Sequence, residues 1–168
     1  MESIWLSLCI FAADMNDKAM LEEQQDRDLR FMRLALAEAE QAYAEGEIPV
    51  GAVIVASGRV IARAHNQTET LHDVTAHAEM LAITAAADLL GGKYLKDCTL
   101  YVTVEPCVMC AGAIGWAQIG RIVYGTGDDK RGYTLLAPRA FHPKAKVTTG
   151  VLEADCRQLM QRFFKDRR

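Results

Sequence analysis

The sequence has no apolar run near the 18 or so residues that a membrane-spanning helix needs. It has no basic excess: 19 Lys+Arg stand against 22 Asp+Glu, for a formal net charge of -3. On that average it lacks the usual mark of a nucleic-acid binder. Nor does it have an even set of cysteines. The five, Cys9, Cys98, Cys107, Cys110 and Cys156, are spread over 168 residues, so a disulfide framework is not expected and a reducing, cytoplasmic setting is. The apolar run from Ile4 to Ala13 lacks a preceding Lys or Arg; only Glu2 comes before it, and Asp14 and Asp17 follow. It is therefore not read as a signal peptide. Residues 1–25 are expected to be a poorly ordered tail, or to reflect a start placed too far upstream. Internal repeats, linkers and low-complexity tracts are also missing, so residues 26–168 are expected to form one domain. What is present, 51% hydrophobic and 24% charged residues, is the composition of a globular chain with a sizeable core.

The pattern alternates helices and strands. Leu29, Met32, Leu36, Ala39 and Tyr43 recur at helical spacing between Asp26 and Glu45, with Gly46 as the stop. Pro49–Ala56 reads as a buried strand, Ser57-Gly58 as a tight turn, and Val60–Ala64 as the returning strand. A polar loop, His65 to Asp73, precedes a helix capped by Asp73 or Thr75 and running to about Asp88. Thr99–Val104 is a third strand. Glu105-Pro106-Cys107 opens another helix, and Ile122–Tyr124 is a short strand. A loop with a short helix fills 127–143. Lys146–Val151 is a last strand, and Leu152, Cys156, Leu159 and Phe163 stripe a final helix. Such alternation implies an α/β protein with a mostly single sheet covered on both faces.

Two segments carry chemistry: His77-Ala78-Glu79 and Pro106-Cys107-Val108-Met109-Cys110. Cys107 and Cys110 share one face of a first helical turn, where the helix dipole and free backbone N–H groups favour thiolates. Such a pair is half of a tetrahedral zinc site. A second closely spaced Cys or His pair, which a structural site wants, is lacking. His77 is the best third ligand. Three protein ligands leave a fourth position for water, the pattern of a catalytic zinc. Glu79 points to another azimuth of its helix and is placed to move protons rather than to bind metal. A redox Cys-x-x-Cys and a structural zinc are the competing readings. The combined H-x-E and P-C-x-x-C pattern resembles the signature of zinc deaminases.

From about Phe31 onward the chain resembles the bacterial tRNA-specific adenosine deaminases of the cytidine deaminase-like superfamily. The matching stretches are Glu47-Ile-Pro-Val-Gly-Ala-Val, His65-Asn66, Asp73-Val-Thr-Ala-His-Ala-Glu79, Thr99–Ala113, Gly120-Arg-Ile-Val-Tyr-Gly125 and Phe163-Phe164. The resemblance implies a three-layer α/β/α sandwich on a mixed five-stranded sheet. It implies that His77, Cys107 and Cys110 hold one zinc ion per subunit, and that Glu79 shuttles protons. Asn66 resembles the family's base-contacting Asn; the other reading is a turn residue. Ile48 and Val104 align with apolar walls of the base pocket; sequence alone makes them core. Phe164, with Phe163, resembles an aromatic pair near the RNA loop, though helical packing accounts for Phe163 as well. The implied reaction is hydrolysis of adenosine to inosine at the wobble position of a tRNA anticodon loop, by a homodimer without a membrane anchor. There are departures. Val74 stands where the family has Pro, the Asp128–Pro138 loop is shorter and different, and Ile114-Gly-Trp-Ala117 leans toward guanine deaminases. The alternative substrates are a free base or nucleoside: guanine, cytosine or cytidine. A third reading is a non-catalytic, zinc-stabilised RNA-binding module, against which Glu79 weighs.

The distribution of charge changes what its average says. Up to Asp129 the chain holds 9 Lys+Arg and 19 Asp+Glu, a net of -10; from Lys130 on it holds 10 and 3, a net of +7. Lys130, Arg131, Arg167 and Arg168 are the candidate RNA contacts in this basic share. The competing reading is a solvated basic helix end, since Lys and Arg favour helix C-termini.

Overall fold

A computed structural model describes residues 2–167, with side chains from 16 onward. The elements in chain order are α1 (Glu2–Ala44), β1 (Gly51–Ala56), β2 (Arg59–His65), α2 (Ala78–Leu90), β3 (Cys98–Val104), α3 (Val108–Trp116), β4 (Arg121–Thr126), α4 (Tyr133–Leu136), β5 (Lys146–Thr149) and α5 (Glu153–Asp166). They build a mixed five-stranded sheet in the order β2-β1-β3-β4-β5. β1 runs antiparallel to β2 and β3, while β3, β4 and β5 are parallel. Ser57 and Gly58 both take positive φ, at 49° and 73°. That suits the tight β1–β2 turn, because paired positive φ values match the twist of a hairpin.

The central strands are apolar on both faces, which is why Pro49–Ala56 reads as an unbroken hydrophobic run. Ala52, Ile54, Leu100, Val102 and Ile122 face one layer, where Ala78, Ala82 and Ala86 of α2 and Ile114 of α3 meet them. Val53, Val55, Tyr101 and Val123 face the other, against Phe31, Met32 and Ala35 of α1 and Cys156 of α5. The result is the three-layer α/β/α sandwich. The alanine stripe of α2, at four-residue spacing, lets that helix lie close to the sheet. Gly51 does the same for α1: a Cβ there would run into the Ala35 and Ala39 backbone.

Several boundaries differ from those read in the sequence. α1 starts well ahead of Asp26. The stretch Asp17–Gln25 contains no helix breaker and is rich in good helix formers. Its side chains are exposed apart from half-buried Gln24, so it adds nothing to the core. α2 starts at Ala78, with His77 as its N-cap, and neither Asp73 nor Thr75 caps it. Asp73 instead closes a local turn by accepting the Thr75 N–H (2.8 Å) and hydroxyl (2.7 Å). β4 is longer than expected, and β5 stops at Thr149, before Gly150 at φ 82°. Among the described residues no helix is long and apolar enough to cross a membrane.

The topology gathers one end of the sheet. Ala52 pairs with Val102, so the start of β1 lies beside the end of β3. Gly51 pairs with His65, and Val104 with Thr126, which brings the ends of β2 and β4 to the same edge. The loops after α1, β2, β3 and β4 therefore converge where α2 and α3 begin.

Candidate metal and catalytic site

His77 and Cys107 are the N-cap residues of α2 and α3, and neither side chain caps its own helix. Instead they meet each other. Nδ1 of His77 lies 3.7 Å from Sγ of Cys107 and 3.5 Å from Sγ of Cys110. All three atoms lie within 4.8 Å of one another. A tetrahedral zinc with ordinary Zn–S and Zn–N bonds places N and S about 3.6 Å apart. The residues thus fit the metal that their spacing suggested.

The acid–base balance of the cluster agrees. Cys107 is the acidic thiol: the hydrogen bond from Cys110, and then that from His77, bring it down to about 4 against the effect of burial. Cys110 is pushed up by its hydrogen bond to Cys107 and by burial. His77 is raised by its hydrogen bond to Cys107. Two sulfurs that cannot both ionise at this separation form a donor set suited to a cation between them. Glu79 sits in the first turn of α2, only 4% exposed. Burial first, and the Cys107 charge after it, push its carboxyl up to about 7, against a backbone hydrogen bond and the weaker pull of His77. A carboxyl near neutrality is fit both to take and to give a proton.

The other predicted residues lie on the loops at the same end of the sheet. Asn66 is buried at the end of β2, and its Nδ2 donates to Glu47 Oε2 (3.0 Å) and Thr68 Oγ1 (3.2 Å). Val104, 8% exposed, is the last residue of β3 and lies three positions before Cys107. Ile48 is 43% exposed, so the core reading of it is corrected: it lies in the loop ahead of β1, outside both core clusters. An open depression of about 380 Å³ is lined by Thr68, Glu69, His72, Asp73, Val74 and His77. It leads to the metal cluster along the β2–α2 loop, and Ile48 and Val104 are not among its walls.

The basic loop comes close as well. Gly132 forms an isolated bridge with Cys107, and the Tyr133 N–H donates to the Pro106 carbonyl (2.9 Å). Lys130 and Arg131, both exposed, immediately precede this bridge. Asp128 Oδ1 accepts both their N–H groups and fixes their turn. Phe164 is exposed on α5, edge-on to the buried Phe163. Arg167 is engaged: its guanidinium donates to the Gly46 carbonyl and lies 4.2 Å over the Phe163 ring. It ties the end of α5 to the end of α1. Arg168 lies outside the described residues.

Two buried carboxylates had no role in the sequence reading. Glu47 accepts from Asn66, Thr68 and the N–H groups of Glu69 (3.2 Å) and Thr70 (2.7 Å). Glu105 accepts the N–H of Asp128 (2.9 Å) and the N–H and hydroxyl of Thr134 (2.9 and 2.6 Å), pinning the basic loop to the turn that carries Cys107. The available signal was a lone acid in an apolar run, as in Glu47-Ile-Pro-Val and Val104-Glu-Pro.

Comparison with known proteins agrees with this geometry. The tRNA-specific adenosine deaminase of Bacillus subtilis (strain 168) is 44% identical over 147 residues, spanning 84% of this chain and 91% of that protein. A solved structure from studies of A-to-I editing by tRNA:A34 deaminases at the wobble position superposes with a TM-score of 0.73 at 44% identity, covering 77% of this chain and 98% of the other. The guanine deaminase structure from Bacillus subtilis gives a TM-score of 0.56 at 40% identity, over 67% and 69% of the two chains. The family model described as the cytidine and deoxycytidylate deaminase zinc-binding region matches residues 25–126, which include His77, Glu79, Cys107 and Cys110. With the metal-binding triangle, the neighbouring acid and more than half of the chain matched, the protein belongs to the cytidine and deoxycytidylate deaminase family.

Proposed function

We propose that the protein hydrolyses the wobble adenosine of a tRNA anticodon loop to inosine, with ammonia as the other product. The observation that carries this is the His77–Cys107–Cys110 triangle beside the buried carboxyl of Glu79, in a chain 44% identical to tRNA-specific adenosine deaminases. His77, Cys107 and Cys110 hold one zinc ion per subunit. Zinc, when bound, makes water a nucleophile at neutral pH. Glu79 would take a proton from the attacking water and pass it to the purine ring as the C6–O bond forms, then take the proton of the new C6 hydroxyl and pass it to the amine, so that the C6–N bond breaks and ammonia leaves. Burial serves this role, because a carboxyl held near pH 7 exchanges protons with little penalty in either direction.

The target base is splayed from its stack, as a loop nucleotide can be without opening a duplex. Asn66 meets the base, with Ile48 and Val104 as apolar walls. Lys130 and Arg131 meet phosphate beside the metal, and Phe164 offers a ring for stacking. Arg167 acts by holding α5 against α1, and Arg168 joins the same basic end. The deaminase domain is residues 26–168, with 1–25 as an N-terminal tail. The chain works in the cytoplasm, where cysteines stay reduced and tRNA is found. It works as a homodimer: Val108, Gly112 and Trp116 share one outer stripe of α3, and Trp116 is 86% exposed.

The second reading is a deaminase of a free base. It is favoured by Trp116-Ala117 and by the likeness to guanine deaminase. The concentration of positive charge beyond Asp129 favours a polyanion. Incubation with an anticodon stem-loop carrying a wobble adenosine decides. Inosine in the digested RNA supports the proposal. Ammonia from guanine or cytidine, with no inosine, overturns it.

A further inference from the structure

Glu47 is 1% exposed and carries no countercharge within its hydrogen-bonding set. A carboxylate buried in this way needs a reason, because its desolvation is costly. Its partners are all donors, and all belong to the segment between Asn66 and Thr70. The geometry points to Glu47 as a positioning residue for deamination, acting through Asn66 to fix which amide atom faces the substrate base. This rests on the reading of Asn66 as the base contact.

Asn66 has two amide hydrogens and one carbonyl oxygen. Its Nδ2 is committed to Glu47 and Thr68, so Oδ1 is the atom left to accept from a base. An amide free to turn by half a rotation would present NH2 and C=O interchangeably, and a purine edge distinguishes the two. Only an acceptor-only group can hold the amide one way round while also taking two backbone N–H groups. An ionised carboxylate is that group. Burial raises the pKa of Glu47, but the N–H groups of Thr70 and Glu69 more than offset this and hold it below the ordinary value, so it stays ionised at neutral pH. The same two N–H bonds set the start of the loop whose Thr68 and Glu69 line the depression leading to His77.

Glu47→Gln keeps the shape and replaces one acceptor by a donor. At least one of the donors around it then faces another donor, and the Asn66 amide loses its fixed sense. The test is a double-mutant cycle on the zinc-loaded protein with the wobble-adenosine stem-loop as substrate. Asn66→Ala and Glu47→Gln are each expected to lower kcat/KM about tenfold or more, with zinc content unchanged. In the Asn66→Ala background, Glu47→Gln is expected to cost less than about twofold. A purely structural Glu47 gives the same loss in both backgrounds, and that result overturns the proposal. So does a Glu47→Gln protein of native kcat/KM. If Glu47→Gln does not fold, Glu47→Asp, which keeps the charge and shortens the reach, takes its place in the cycle with the same expectations. An Asn66→Ala protein of native kcat/KM removes the base contact and the proposal with it. A wild-type protein that makes no inosine overturns the function instead. The Asn66 side-chain NH2 signal in NMR then still decides the orientation, since it is expected to shift strongly between wild type and Glu47→Gln and an unchanged signal refutes the coupling.

Discussion

Each end of the parallel strands holds a buried carboxyl, and the two behave in opposite ways. Near the C-terminal ends, Glu79 of α2 is pushed up to about 7 by burial, which outweighs its backbone hydrogen bond and the weaker pulls of His77 and Cys110. Toward the N-terminal ends, Asp28 of α1 is buried against the other face of the sheet. Burial raises it too, but two hydrogen bonds from Arg121 (2.7 Å each) and one from Tyr101 (2.9 Å) outweigh that and hold it below its ordinary value. Arg121 in turn donates to Thr148 of β5, so a single ion pair links α1, β3, β4 and β5. The lesson is that burial alone does not decide what a carboxyl does. Partners that favour the ionised form outweigh burial at Asp28 and make it a clamp, whereas at Glu79 burial outweighs them and leaves the carboxyl available for proton transfer.

Exchanging the roles should fail, and the size of each failure sharpens the contrast. Glu79→Gln should lower kcat by about 10³- to 10⁴-fold while the protein retains zinc and unfolds at the native temperature; parallel metal analysis and inosine assays check it, and native turnover would remove Glu79 from the mechanism. Chelation of zinc should also abolish inosine formation, and one equivalent of zinc should restore it. That reversal is not expected of a damaged Asp28 clamp.

Asp28→Asn should do the reverse of Glu79→Gln. Leaving Arg121 unpaired should cost about 3 kcal/mol in urea unfolding at pH 7. The zinc-loaded folded fraction should keep its kcat/KM within about twofold, since Asp28 touches none of the reacting groups. The pH dependence has a definite sign. Asp28 has a folded pKa below its unfolded one, so its contribution is complete above the unfolded value near 4 and is lost as pH falls through the folded value. The stability gap between wild type and Asp28→Asn should therefore close on acidification below about pH 4. A gap that widens instead would mean that the ion pair is not the source of the stability.

The smallest effect lies at the rim of the catalytic end. Lys130→Ala with Arg131→Ala should weaken RNA binding several-fold and reduce the salt slope of binding by about two. Unfolding should be unchanged, because both side chains are exposed. An unaltered salt slope would place the RNA elsewhere on the basic segment.

Much of this was legible in the residues. The two helix starts and their His-x-Glu and Pro-Cys-x-x-Cys patterns identified His77, Cys107 and Cys110 as one group, because ligand chemistry restricts residue type and spacing so severely. The buried run at Pro49–Ala56 and the α5 stripe were equally plain, since periodicity records burial. The N-cap of α2 was misread because Asp73 and Thr75 satisfy each other in a turn, a local alternative that competes with capping. The core reading of Ile48 failed because hydrophobicity does not say which side of a loop a side chain takes. Nothing local marked Glu47 or Glu105 as hubs, because their partners lie some twenty to thirty residues away along the chain.

Residue type and spacing already carried the chemistry: three soft or borderline metal ligands, an acid two residues from one of them, and a basic share confined to the last 39 residues of the chain. Which groups that chemistry works with depends on the packing of distant segments. Strand pairing brings the ends of β2, β3 and β4 and the start of β1 to one end of the sheet, Gly132 bridges to Cys107, and Arg167 folds back onto Gly46. That packing also gives Glu79 and Asp28 their different partners. Residue type fixes what a side chain can donate, accept or bind, but long-range packing sets its distance to other groups and its access to water, and those set its charge and its role.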